Sequence, residues 1–192
     1  MNKRIRIMNL VAIGIILNVV GAFIAMSLSI PFYMDSIGTI LIAGLLGPKY
    51  AMITGVLGSI TSGMTFDMYS FYYAPVQLCT GFFAGTLYHT PWLKGYKTFI
   101  GSILVGIPTS LLSAIITAYL FGGLTSSSSS TFVIIFQHLG LPLIISVFIT
   151  QVFTDYTDKL LAVYLTRQVL EKGKIYEKWG LTWKDTAKLQ TK

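Results

Sequence analysis

Formal charges are sparse along this chain, and the apolar stretches between them predict helices of membrane-crossing length. A helix needs about 20 apolar residues to cross a hydrocarbon core, where only a helix or a closed barrel satisfies its own backbone. Residues 8–29 carry no formal charge and give the first helix, which Pro31 ends. Residues 36–46 form a shorter apolar run, stopped by Gly47-Pro48, that suits a short or tilted second helix. Residues 50–64 predict a third, 74–88 a fourth with Pro75 in its first turn, and 98–121 a fifth with a kink at Pro108. The serine run in 122–131 reads as a flexible loop. A short helix ending at His138 follows, then Gly140 and Pro142, then a sixth long helix from Leu141 that ends near Gly173. The expectation is an all-α bundle of six transmembrane helices over residues 1–173, with a polar cytoplasmic tail over 174–192.

Composition sharpens this reading. Hydrophobic residues make up 54% of the 192 positions and charged residues 11%, with mean hydropathy +0.71. A soluble domain carries about 25% charged residues, so water cannot be the only solvent for this surface. The net charge of +7 comes from 14 basic residues, and their positions matter more than their sum. They fall at Lys3, Arg4 and Arg6, at Lys49, at Lys94 and Lys97, and from Lys159 to Lys192. With six helices and both termini cytoplasmic, all lie on the cytoplasmic side, where lysine and arginine of short loops collect. The opposite loops hold only Asp35 and Asp67. Scattered in this way, without interleaved stacking aromatics, the basic residues argue against nucleic acid and suit an anionic lipid surface.

Catalytic signatures are missing. Neither His89 nor His138 stands in a metal-ligand spacing, no GxSxG surrounds a serine, and Cys79, in an apolar run, reads as a buried thiol with no disulfide partner. No metal or cofactor is expected. An intramembrane Ser-His enzyme is the outlying alternative. The chain has no GxxxxGK[ST] loop, so ATP-driven work would need another subunit. An ion-driven carrier would place charges inside the bundle, and the only candidates are Asp155 and Asp158. Both read as lying close to the cytoplasmic boundary, Asp155 paired with Lys159 at i,i+4. No inverted repeat is visible. What remains is a binder without its own motor.

The outer loops supply a candidate pocket. Tyr33 and Asp35 lie in the first, with Thr39 at the top of the second helix. Asp67, Tyr69, Tyr72 and Tyr73 lie in the next, with Gln77 one turn below it, and Gln137 and His138 follow the serine run. Aromatic faces with a few orienting polar groups are the usual make-up of a small-ligand site, whereas an aromatic belt at the headgroup level is the bland reading of the tyrosines. Small residues at four-residue spacing permit close helix approach. On the first helix they are Gly14, Asn18 and Ala22, with Gly21 and Ala25, a candidate docking face for another membrane subunit.

One family fits this pattern. Asp35-Ser-Ile-Gly-Thr39, then Ala43-Gly-Leu-Leu-Gly-Pro-Lys-Tyr50, Ala74-Pro-Val-Gln77 leading to Gly81-Phe-Phe-Ala-Gly85, Phe121-Gly-Gly-Leu-Thr-Ser126 and the stretch from Asp155 to Leu161 together resemble the substrate-binding S components of energy-coupling factor vitamin transporters over residues 1–165. The resemblance implies a multi-pass protein of a prokaryotic plasma membrane. It implies partners too: a transmembrane coupling subunit and two ATPases, with the S component binding vitamin outside and toppling to release it inward. Loops one, three and five would cover the pocket. The family's Ala-x-x-x-Ala docking motif has no copy here; Gly21-x-x-x-Ala25 and Gly14-x-x-x-Asn18 are nearest. With no lysine or arginine expected at the outer face, a carboxylate ligand would rely on neutral donors. The resemblance points to pantothenate, while Asp35 and Asp67 suit a protonated pyridoxine or aminopyrimidine, and a serine-rich loop suits something as large as cobalamin.

Overall fold

The structure, a computed structural model, describes residues 3–88, 90–93 and 95–172. Expectations for His89, Lys94 and the tail 174–192 lie outside the described residues. The described chain is all-helical, with no strand. Seven α-helices follow in order: α1 Lys3–Ser27, α2 Ile37–Leu46, α3 Pro48–Thr65, α4 Ala74–Leu87, α5 Thr98–Phe121, α6 Ser130–His138 and α7 Leu143–Lys172. Their bounds follow the apolar runs closely, with α6 the short helix before the last long one. Helix α5 runs through Pro108 without interruption, and the Thr109 hydroxyl donates to the Val105 and Gly106 carbonyls at that point.

Helix α2 is the hub. It packs on α1, α3, α4 and α7, and every residue from Gly38 to Leu46 is buried. This explains its unbroken apolar sequence, since a helix covered on all sides needs no polar face. Gly47, at φ +84°, lets α3 start at once at Pro48. Close approach also needs glycine at Gly38, where a Cβ would sit 1.9 Å from the Gly14 carbonyl oxygen.

The long helices are turned inside out relative to those of a water-soluble protein. On α5 the exposed positions include Phe99, Ile103, Ile107, Leu111 and Ile115, while Ser102, Thr109, Ser110, Ser113 and Thr117 are buried. Helix α7 exposes Ile144, Phe148 and Phe153 and buries Thr150, Gln151, Thr154, Asp155, Asp158 and Lys159. Two stretches, Lys3–Ser27 and Gly95–Phe121, are long and apolar enough to cross a membrane. Helix α7 mixes in charged groups because its polar face points inward.

The loops divide by end. The segments before α2, before α4 and before α6 meet at one end, where Tyr33 lies 5.9 Å from the Tyr73 ring and bonds Thr125 at 2.9 Å. At the other end Pro48 approaches Gly85, Leu170 packs on Gly44, and Arg167 donates to Thr98 at 3.3 Å.

Three expectations change. The serine run is a hydrogen-bonded turn: Thr125 N bonds Ser130 Oγ at 2.9 Å and Ser129 Oγ bonds Ser127 Oγ at 2.9 Å, because short hydroxyl side chains cap nearby backbone. Cys79 is half-buried. The proposed docking residues Gly14, Asn18, Gly21, Ala22 and Ala25 are all buried within the chain. A Cβ on Gly14 would meet Ile42 and Thr54, and one on Gly21 would reach the Met34 carbonyl oxygen at 2.2 Å. Small residues there admit the chain's own α2, α3 and first loop. The face α1 leaves open carries Met8, Ile16, Val20 and Phe23.

Candidate functional site

Five helices, α1, α2, α4, α5 and α7, and the loops before α2, α4 and α6 bring a polar centre together at one end of the bundle. Asn18 of α1 is its first support. Its Oδ1 accepts the Gly38 and Thr39 amides at 2.7 and 3.1 Å, two of the donors that the first turn of α2 leaves without helical partners. Its Nδ2 donates to Thr39 Oγ1 at 2.8 Å, and that hydroxyl donates to Gln77 Oε1 at 3.1 Å. Gln77 Nε2 then donates to the Asp35 carbonyl at 3.1 Å. This relay runs from α1 through α2 to α4 and fixes where loop 28–36 returns. Thr39 is thereby a strut in a buried network, while Gln77 also reaches the cavity described below.

Helix α7 supplies what the sequence reading misplaced. Asp158 accepts the Met34 amide at 2.9 Å, the Ser36 hydroxyl at 2.5 Å and the Lys159 ammonium at 3.0 Å. Asp155 lies 3.8 Å from the same ammonium. Asp155, Asp158 and Lys159 are exposed by only 4%, 2% and 2%. They do not lie in a solvated stretch at the basic end. A 30-residue helix is about 45 Å long, so a charge halfway along α7 falls in the middle of the bundle, not at its edge. Lys159 is therefore a cation beside the loop that carries Tyr33 and Asp35, where none is expected from sequence. Helical periodicity held the clue: Gln151, Asp155, Asp158 and Lys159 share one face.

Two cavities of about 20 Å³ each sit here, room for about one water molecule apiece. Tyr33, Asp35 and Ser70 form the wall between them. The deeper one is bounded by Tyr73, Gln77, Ser113, Asp155 and Lys159; the shallower one reaches Asp67 and Ser127. Two larger hollows of about 700 and 570 Å³ lie along the α5–α7 seam and hold none of the expected site residues.

Tyr73 packs into the site with its hydroxyl 2.5 Å from Thr117, which also accepts from Gln151 at 2.9 Å. Phe121 gathers the loop tyrosines: its ring lies 4.8, 5.2 and 6.2 Å from Tyr69, Tyr72 and Tyr73. Of these Tyr72 is 48% exposed and sits at the rim. Asp67 spends its carboxylate locally, accepting from Ser70 Oγ at 2.7 Å and Tyr69 N at 3.3 Å as the cap of a 3-10 turn. Gln137 and His138 do not join the site. Helix α6 buries only Val133 against its neighbours, so its last turn projects and both residues are exposed.

Electrostatics at the loop end follow from burial. Burial, then the neighbouring Asp158, raises Asp35 from 3.8 to about 6, against the pull of Lys159 and Gln77. Burial likewise pushes the Tyr33 and Tyr73 phenols upward, so both remain neutral hydrogen-bonding groups. Among the described residues no group of three or more His, Cys, Asp or Glu is arranged to hold a metal ion.

No family model, no curated protein and no solved structure matches the chain.

Proposed function

We propose that this chain is a multi-pass membrane protein that captures a small water-soluble solute at the end carrying its aromatic loops. It would deliver that solute inward with separate ATP-driven subunits, as the resemblance to vitamin-transport S components implies. The observation that carries the reading is a polar chamber buried under three loops, inside helices whose outer faces are apolar. Charged groups in the interior of such a bundle are costly even when paired, and they mark pathways or ligand sites. Six spans, counting α2 with α3 as a reversal and α6 as a cap, place both termini on the cytoplasmic side of a prokaryotic plasma membrane. Lys49, Lys97 and Arg167 then face the cytoplasm, and the loops with Tyr33, Tyr73 and Thr125 face out.

Pantothenate is the vitamin the resemblance points to, with pyridoxine or an aminopyrimidine as alternatives, and each would need the loops to open to enter the chamber. Cobalamin would need a much larger opening, because each cavity now holds about one water molecule. The partners implied are a transmembrane coupling subunit and two ATPases, with lipid around the bundle. A self-sufficient small-solute channel or secondary transporter is the second reading, and the buried Asp155, Asp158 and Lys159 favour its ion-driven form.

Affinity purification of the tagged chain from its native membrane separates the two. The first reading expects two soluble ATPases and one helical membrane protein in stable complex, and solute uptake that stops without ATP. A chain that runs alone and moves solute down an ion gradient would replace it with the second.

A further inference from the structure

The balance of donors and acceptors in the deeper cavity names the kind of solute it takes, given the solute-binding role above. Most hydrogen-bond donors at its wall already have an acceptor within the protein, and the Ser113 hydroxyl lies against the Asp155 carboxylate. Tyr33 is paired with Thr125 and Tyr73 with Thr117. Ser70 donates to Asp67, Gln77 to the Asp35 carbonyl, and Lys159 to Asp158. Ser110, behind the wall, donates to the Gln151 carbonyl at 3.3 Å. One acceptor has room for a further donor: Asp155, 96% buried and lining the cavity, has Lys159, Ser110 and Ser113 beside its carboxylate, yet its Oδ2 makes no hydrogen bond of good geometry. One turn earlier on the same face of α7, Gln151 Oε1 is also buried without a donor.

Charge tells the same story. Three carboxylates, Asp35, Asp155 and Asp158, surround one ammonium, and the nearest of them, Asp158, occupies it at 3.0 Å against 3.8 Å for Asp155. Asp35 and Asp155 stand on one cavity wall and share that single ammonium with Asp158, so carboxylates outnumber cations there. Buried carboxylates in excess of the cations beside them are unfavourable, so an occupant that brings positive charge and N–H donors is favoured and an anion is opposed. Two tyrosine rings 5.9 Å apart flank the space, and aromatic faces attract cations.

We propose that the cavity between Tyr33, Tyr73, Asp35 and Asp155 is a subsite for a positively charged nitrogen of the solute, a protonated amine or a cationic ring nitrogen, with Asp155 Oδ2 as its hydrogen-bond acceptor. Asp158 takes no part in this contact; it positions loop 28–36. The subsite replaces the anionic pantothenate with an organic cation as the preferred ligand class.

The test is calorimetric titration of the purified protein with thiamine and pyridoxamine as cationic probes, pantothenate as the anionic probe and riboflavin as the neutral one. A cationic probe binds best, and Asp155→Asn weakens it at least about tenfold, as expected for loss of a charge-assisted hydrogen bond. Asp35→Asn gives a second, independent loss, and both variants keep the wild-type unfolding midpoint within a few degrees. Preferred binding of pantothenate or riboflavin, no binding of either cation, or unchanged affinity in both variants overturns the subsite. Co-purification of the ATPases is scored on the same preparations: a complex that assembles yet binds pantothenate rejects only the cation subsite. A chain that binds the cation but recovers no ATPase rejects only the partnership.

Discussion

Asp158 and Lys159 are neighbours in sequence that do different work. The carboxylate of Asp158 carries three donors, two of them from the loop before α2, so its removal frees that loop and strands the ammonium. Asp158→Ala should lower stability by about 3 kcal/mol, the scale for breaking a buried ion pair from one side. Thermal unfolding in detergent reads this, and a loss below about 1 kcal/mol would mean that water already reaches the pair. Asp35 gives a prediction in pH. Its native value of about 6 lies above the usual 3.8, so the folded state holds the proton more tightly. Its contribution to stability is complete below pH 3.8 and is lost as pH rises through about 6. Burial sets this first, then Asp158, with Lys159 and Gln77 pulling the other way and Asp155 adding to the rise, while Tyr33 and Tyr73 face the same cavity. Ligand-free protein should therefore unfold more easily at pH 7 than at pH 4.5 by this increment, and Asp35→Asn should reduce the slope. An identical slope in the variant would assign the effect to other carboxylates.

Helices meet here through glycine, and the contacts are unequal. A Cβ at Gly38 would lie 1.9 Å from the Gly14 carbonyl oxygen, and one at Gly81 would lie 2.5 Å from the Met52 amide nitrogen. Both obstacles are backbone, which cannot swing aside. At Gly106 the nearest atom is 3.6 Å away, on Tyr156, an ordinary contact. Gly38→Ala and Gly81→Ala should each destabilise by about 2 kcal/mol or more. Gly106→Ala should be neutral or gain up to about 1 kcal/mol from better helix propensity. Unfolding midpoints of the three variants decide, and equal effects would contradict the packing. The loop before α2 stores some strain, with Ser29 at φ +54° and Met34 at φ +52°, conformations that cost a non-glycine residue about 1–2 kcal/mol each. Asp158 holds Met34 in that state through its amide. A ladder of small residues on α1 announces close approach, and a partner subunit and the chain's own α2 leave the same mark there.

For the whole molecule the decisive measurement is sidedness. In a Cys79→Ser background, cysteine at Met68, which is 71% exposed, should react with a membrane-impermeant maleimide from outside. Cysteine at Arg4 or Lys97 should react only after permeabilisation. The reverse pattern would invert the proposed orientation and, with it, the direction of capture.

Sequence alone determined the helices, since the spacing of charges and prolines sets where a helix in an apolar solvent begins and ends, and α1 to α7 fall on the apolar runs. It also grouped Tyr33, Asp35, Asp67, Tyr73 and Gln77 at one end of the bundle, where they line two adjoining cavities, because aromatic and polar residues cluster in the same set of loops. Tertiary structure decided which of them face it and what else does. Hydropathy treats Asp155, Asp158 and Lys159 as the end of a span, and only the packing of α7 against α2 and α5 turns that face inward beneath the loop. Nor does periodicity measure how far a short helix projects, so Gln137 and His138 belonged to the pocket by position in the chain and left it once α6 packed through Val133 alone. Local patterns record each helix's solvent; the assignment of a buried charge depends on which other helix lies across from it.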